Sequence, residues 1–181
     1  MNIPNTITAI RIVLVLPLIY FLYQPSISFQ WLAFFIFLVA ALTDWLDGYL
    51  ARKLNQITAL GKFLDPLTDK ILIIAPLLIL IERQQLRAWA VFVIIIREIV
   101  IAGWRVNPQL SSDNDISGAN IWGKLKTVTQ ISAIAFLIIP VPQLTNIGFI
   151  LFWIALVLTV ISGSIYLGFP SFCLGKIKSQ Q

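Results

Sequence analysis

Polar positions are sparse along this chain and fall in clusters. They leave six apolar stretches, at about Ile7 to Tyr23, Trp31 to Leu54, Leu60 to Ile81, Ala88 to Arg105, Trp122 to Ile139 and Thr145 to Leu167. At roughly 20 residues per bilayer crossing, each is long enough to span as a helix. The pattern predicts an all-α polytopic membrane protein with six transmembrane helices and one domain covering residues 1–181. The first stretch carries Arg11 and is followed by no small-residue cleavage site, so it reads as a retained helix rather than a signal peptide. Neither an internal repeat nor a low-complexity segment interrupts the pattern.

Composition narrows the chemistry. With 59% hydrophobic and 12% charged residues, the chain belongs with membrane proteins rather than soluble domains. One Cys and no His exclude an intrachain disulfide, a zinc site of the usual Cys/His kind and His-based acid/base catalysis. The lone Cys173 reads as an inert residue at the membrane edge. If both termini share one side, that side collects Arg11, Arg52, Lys53, Lys62, Lys70, Arg97, Arg105, Lys124, Lys126, Lys176 and Lys178, whereas the other has only Arg83 and Arg87. The positive-inside rule makes the first side cytoplasmic, as in a bacterial inner membrane. A net charge of +5 suits anionic membrane lipids and phosphorylated substrates on that face, and no feature points to nucleic acid.

Against this background the acidic residues stand out. Four of the eight fall in the string Asp44-x-x-Asp47-Gly48-x-x-Ala51-Arg52, continued by Gly61-x-x-x-Asp65-x-x-x-Asp69. Carboxylates at membrane depth are costly and mark an ion site, a proton path or catalysis. The spacings of three and four place each Asp pair on one helix face, so two such faces meeting would form a four-carboxylate cage. Hard divalent cations with oxygen ligands, Mg²⁺ or Mn²⁺, offset that charge without protonation. Gly48 and Gly61 leave room for close approach of a ligand or backbone. Asp44, Gly48 and Arg52 recur every four residues, forming a stripe along which a donor phosphate can be gripped. Arg52 suits a pyrophosphate because its planar fork offers two donors to one group; a snorkelling anchor is the plainer alternative. Pro66 removes the donor for the carbonyl of Lys62, which predicts an irregular start to the third helix beside a polar cavity.

The whole string resembles the signature of the CDP-alcohol phosphotransferases, integral membrane enzymes of phospholipid synthesis, and every specified position is filled. A buried charge network that merely joins helices would not require the Gly, Ala and Arg positions at those offsets. The resemblance implies that Asp44, Asp47, Asp65 and Asp69 bind two divalent cations and that Asp69 also accepts a proton. It further implies that Asp44, Gly48, Arg52 and Thr58 contact the CDP-diacylglycerol donor, and that the enzyme is a homodimer.

Asn5, Thr8 and Arg11 lie three apart on one face of the first helix, with Asn5 as a helix cap the competing reading. The string from Asn2 to Arg11 resembles the phosphatidylglycerophosphate-forming branch of the family, in which it lies near the nucleotide; Thr8 is therefore placed with the donor. In the fourth helix Arg97 is embedded in apolar sequence, and Glu98 shares a face with Arg105, an arrangement that a structural Glu98–Arg105 pair and a snorkelling Arg97 would also explain. In the fifth, Lys124 and Lys126 diverge by about 200°, so only one can face a cavity. Arg97, Arg105 and Lys126 form a cationic excess that suits an acceptor carrying its own phosphate. The Arg-Glu-Ile and Gly-Lys-x-Lys-Thr strings resemble the same branch, whose acceptor is sn-glycerol 3-phosphate. Asn5, Arg11, Lys62, Lys124 and Thr127 are additional candidates for the site. The stretch from Asn107 to Asn120 reads as a solvated polar loop.

The expected reaction is transfer of the phosphatidyl group of CDP-diacylglycerol to sn-glycerol 3-phosphate in a polar cavity at the cytoplasmic side. A single displacement is expected because no activated Ser, Cys or His is apparent. Inositol phosphate, serine or phosphatidylglycerol as acceptor are the alternatives within the family. From another class, a cation transporter would use the acidic cage as its transit site.

Overall fold

The computed structural model describes the backbone of residues 3–54, 59–106 and 116–166, and within them the side chains of 10–43, 68, 70–103 and 121–165. These residues form six helices and no strand: α1 (Ile3–Tyr23), α2 (Ile27–Leu54), α3 (Ala59–Glu82), α4 (Ala88–Val106), α5 (Ile116–Ile138) and α6 (Pro142–Tyr166). Every predicted stretch has its helix. α1, α2 and α5 begin before the apolar stretches do, because polar residues at a membrane edge can remain helical. Helix α5 takes in Ile116 to Asn120, so that part of the expected loop is helical, while 107–115 lies outside the described residues. Helix α1 starts at Ile3, which puts Asn5 inside its first turn instead of ahead of it and removes the capping alternative. Helix α3 runs unbroken through Pro66, contrary to the irregular start expected. One missing hydrogen bond near the start of a 24-residue helix leaves enough of the ladder to carry it through.

Short connections make consecutive helices antiparallel. α1 packs on both α2 and α3 more extensively than those two pack on each other, α5 pairs closely with α6, and α4 leans on α6. The α3–α4 turn is closed by Gln84 N–H to Ile81 O at 2.8 Å and Gln85 N–H to Leu80 O at 3.0 Å. This is the double bond of a Schellman cap, whose left-handed residue is Gln84 at φ 58°. At the same end the Tyr23 hydroxyl donates to Glu82, and Arg83 donates to the carbonyls of Leu22 and Gln24, pinning α1 to α3. The α5–α6 hairpin is as tight at Gly148, where a Cβ would lie 2.9 Å from the Leu137 backbone nitrogen.

Among the described residues much of the outer surface is apolar. Val13, Leu16, Phe35, Phe92, Ile150 and Val157 are all more than half exposed. A soluble monomer rarely shows apolar surface of that kind, whereas lipid accommodates it. α6 is long and apolar enough over Pro142–Ile165 to cross a membrane, with mean hydropathy 2.4. Exposed Tyr20, Tyr23, Trp31 and Trp89 gather at the end that holds the α1–α2 and α3–α4 turns, where an interfacial aromatic belt would lie.

Each buried stripe changes character along its length. On α1 it runs Arg11, Val15, Leu18, Leu22; on α5, Lys126, Gln130, Ala133 and Ile134, Leu137; on α6, Phe152, Ala155 and Leu156, Thr159, Ser162. The apolar parts join with Phe37, Leu77 and Ile94 in a single core. Six polar side chains are buried among the described residues: Arg11, Thr68, Lys126, Gln130, Thr159 and Ser162. Thr159 and Ser162 sit toward the end where α6 finishes, Arg11, Thr68 and Lys126 lie within three residues of their helix midpoints on that same side, and Gln130 falls just beyond the middle of α5. The antiparallel order brings the α2 residues Asp44 and Asp47 and the α3 residues Asp65 and Asp69 to that same end.

Candidate active site

The described part of this polar end centres on α4, where Arg97 and Glu98 interrupt a run of isoleucines. Glu98 Oε1 makes an ion pair with Lys126 Nζ of α5 and stands 3.4 Å from Arg97 Nη1. Lys126 is 2% exposed, so its ammonium is held away from bulk water and needs the carboxylate. Arg97 turns inward, donating from Nη2 to Ser162 Oγ on α6 at 2.9 Å. Ser162 in turn donates to the Thr159 carbonyl at 3.2 Å, and Thr159 to the Ala155 carbonyl at 2.6 Å. Gly163 lies close beside this contact, where a Cβ would be 3.3 Å from Arg97 Cγ. The charges of Arg97 and of Lys70 on α3 both act on Lys126. Arg97 and Lys126 thus share the one carboxylate of Glu98, with Lys70 near enough for its charge to act on Lys126.

The Glu98–Arg105 pair considered from sequence lies outside the described residues, because the Arg105 side chain does. Glu98 reaches Lys126 across α4 and α5. Snorkelling of Arg97 is replaced by its bond to Ser162 on α6. Of the two α5 lysines, Lys126 faces inward and Lys124 is exposed, as their divergence requires. Thr127 is also exposed and donates to the Gly123 carbonyl of its own helix at 3.0 Å, away from the cluster. Arg11 is buried on α1, the helix that touches both Asp-bearing helices.

Asn5 and Thr8 on α1, Asp44, Asp47, Gly48 and Arg52 on α2, Lys62, Asp65 and Asp69 on α3, and Arg105 on α4 have helical backbones, but their side chains lie outside the described residues. Thr58 lies wholly outside them. Among the described residues there is no cluster of three or more metal-ligating side chains. The donor set on α2 and α3 is four carboxylates with no His in the chain, which fits hard oxygen-seeking cations.

The sequence reading gave no role to Lys70, Gln130, Thr159 or Ser162. Lys70 was legible as the residue after Asp69. Ser162 and Thr159 were not, because single hydroxyl residues in an apolar helix usually bond to their own backbone. Only the crossing of α4 and α6 brings Ser162 to Arg97.

Residues 1–161 match the sequence profile described as CDP-alcohol phosphatidyltransferase. A Bacillus subtilis protein is 39% identical over 178 residues, covering 90% of this chain and 91% of its own. One from Haemophilus influenzae is 36% identical over 170 residues, covering 92% and 91%. One from Pseudomonas fluorescens is 37% identical over 160 residues, covering 86% and 78%. Each of the three is named CDP-diacylglycerol--glycerol-3-phosphate 3-phosphatidyltransferase.

Proposed function

The chain belongs to the CDP-alcohol phosphatidyltransferase family, and we propose that it transfers the phosphatidyl group of CDP-diacylglycerol to sn-glycerol 3-phosphate, giving phosphatidylglycerophosphate and CMP. Near end-to-end similarity to relatives named for that reaction supports the assignment. The observation that carries the acceptor is the gathering of Arg97 and Lys126 at Glu98, with the charge of Lys70 close to Lys126. A phosphate dianion gains charge-assisted hydrogen bonds there, whereas serine would gain little. Arg105 is assigned to the same group.

The donor's pyrophosphate is assigned to Arg52, Gly48, Asp44 and Thr58, with Thr8 on the adjoining helix. Asn5, Arg11 and Lys62 are placed beside them. Asp44, Asp47, Asp65 and Asp69 would hold two divalent cations, Mg²⁺ or Mn²⁺, which when bound neutralise the pyrophosphate and the departing CMP. Asp69 takes the proton from the acceptor's primary hydroxyl as that oxygen attacks the β-phosphorus. The new phosphorus–oxygen bond forms as the bond to the bridging pyrophosphate oxygen breaks, and CMP leaves with that oxygen. Arg97 and Lys126 hold the acceptor's phosphate so that its far hydroxyl meets the donor, which converts an encounter into a positioned displacement.

The exposed apolar flanks, the aromatic belt and helix lengths of 19 to 28 residues support six spans in the bacterial inner membrane. The excess of Lys and Arg at the polar end supports a cytoplasmic site and termini. The family resemblance supports a homodimer. The test is CMP release in detergent with glycerol 3-phosphate, serine, inositol 1-phosphate and phosphatidylglycerol offered in turn and in competition. Glycerol 3-phosphate should win; faster turnover with another alcohol would remove the acceptor assignment and leave the family.

A further inference from the structure

Among the buried polar residues that the reaction above leaves without a task, Gln130 has both ends of its side chain open. It is 1% exposed, and among the described residues neither its Oε1 nor its Nε2 has a hydrogen-bond partner. Burying an amide without compensation is unfavourable, a cost that an apolar residue would avoid. Ala133 and Ile134, next along the same buried stripe, are apolar. Gln130 is therefore the last polar group on that stripe before the core, one helical turn beyond Lys126 and ~6 Å deeper along α5.

We propose that the Gln130 carboxamide binds the secondary hydroxyl of the acceptor, and so distinguishes sn-glycerol 3-phosphate from phosphorylated alcohols that lack it. This rests on the acceptor assigned above. With its phosphate at Lys126 and Arg97 and its primary hydroxyl given to the base, glycerol 3-phosphate has one polar group left, on the middle carbon. A hydroxyl both donates and accepts, as the two ends of a carboxamide do. One turn of α5 is comparable with the extent of a three-carbon phosphate ester, so the phosphate and the middle hydroxyl can meet successive residues of the stripe. Bound substrate would then satisfy the amide that the protein leaves open.

The test compares sn-glycerol 3-phosphate with 3-hydroxypropyl phosphate, which keeps the phosphate and the primary hydroxyl and lacks the secondary one. The wild-type protein should favour glycerol 3-phosphate in kcat/KM by about ten- to hundredfold, the worth of a buried hydrogen bond with its partner left unpaired. Gln130→Leu, and Gln130→Met as a variant of similar length, should lower kcat/KM for glycerol 3-phosphate by that factor. Both should leave 3-hydroxypropyl phosphate and the KM for CDP-diacylglycerol nearly unchanged, so that selectivity disappears. Parallel loss on both acceptors would overturn the proposal in favour of a structural amide. So would equal use of the two by the wild type, a measurement that needs no variant to fold. No turnover of glycerol 3-phosphate by the wild type would overturn the acceptor assignment together with this inference.

Discussion

Glu98 Oε1 is the point at which this site's electrostatics can be read residue by residue. One oxygen serves both Lys126 and Arg97, so a single carboxylate is shared between two cations. Removing one partner of a buried pair costs about 3–5 kcal/mol, which accounts for a Glu in the middle of an apolar helix. If Arg97, Arg105 and Lys126 bind the acceptor phosphate, Ala at any one should raise the KM for glycerol 3-phosphate by about ten- to hundredfold. The KM for CDP-diacylglycerol should hardly move, and steady-state kinetics with each substrate varied in turn would separate the two. Asp69→Asn should act differently, lowering kcat far more than affinity for the CDP-lipid, because the base matters in the transition state. Near-normal turnover by that variant would send the search for the base to Asp44, Asp47 or Asp65.

Two backbone positions decide how well the helices meet, and they respond in opposite directions. At Gly148 of α6, a methyl group would press on the backbone of α5, which cannot move aside as a side chain can. Gly148→Ala should destabilise the protein by about 1–3 kcal/mol, seen as an earlier thermal transition in detergent. At Gln84 a side chain occupies a left-handed position in which glycine carries no penalty. Gln84→Gly should therefore raise stability by about 0.5–1 kcal/mol while leaving turnover alone, since the turn lies at the end of the bundle away from the site. Both positions look unremarkable as letters. Their consequences come from a neighbouring helix in one case and a φ angle in the other.

At the scale of the molecule, the bundle is organised by polarity along its length: an apolar core at one end and buried polar groups at the other. α1 serves as the common support, since both Asp-bearing helices pack on it. Whatever the four Asp hold must therefore be assembled from two helices positioned through a third. Stripping divalent cations with a chelator should abolish CMP release, and Mg²⁺ or Mn²⁺ should restore it; full turnover in chelator would discard the metal assignment. A transporter would instead move labelled cation across sealed vesicles with no CDP-lipid present.

The six helices and their order were legible in the sequence because a membrane-grade apolar run leaves the backbone little alternative to internal hydrogen bonding. The acid pairs were legible for a related reason: charge is so costly there that four carboxylates at helical spacing stand out from their surroundings. That only one of Lys124 and Lys126 could face inward followed from helical angle, although the angle does not say which. The partners of those side chains did not. Glu98 meets Lys126 from another helix, a partner that no pattern within α4 announces. Ser162 became a ligand of Arg97, and Gln130 an open amide at the inner edge of the polar end, through helix crossings to which no local pattern refers. Periodicity constrains the face a residue occupies; which residue stands opposite depends on how separate helices pack.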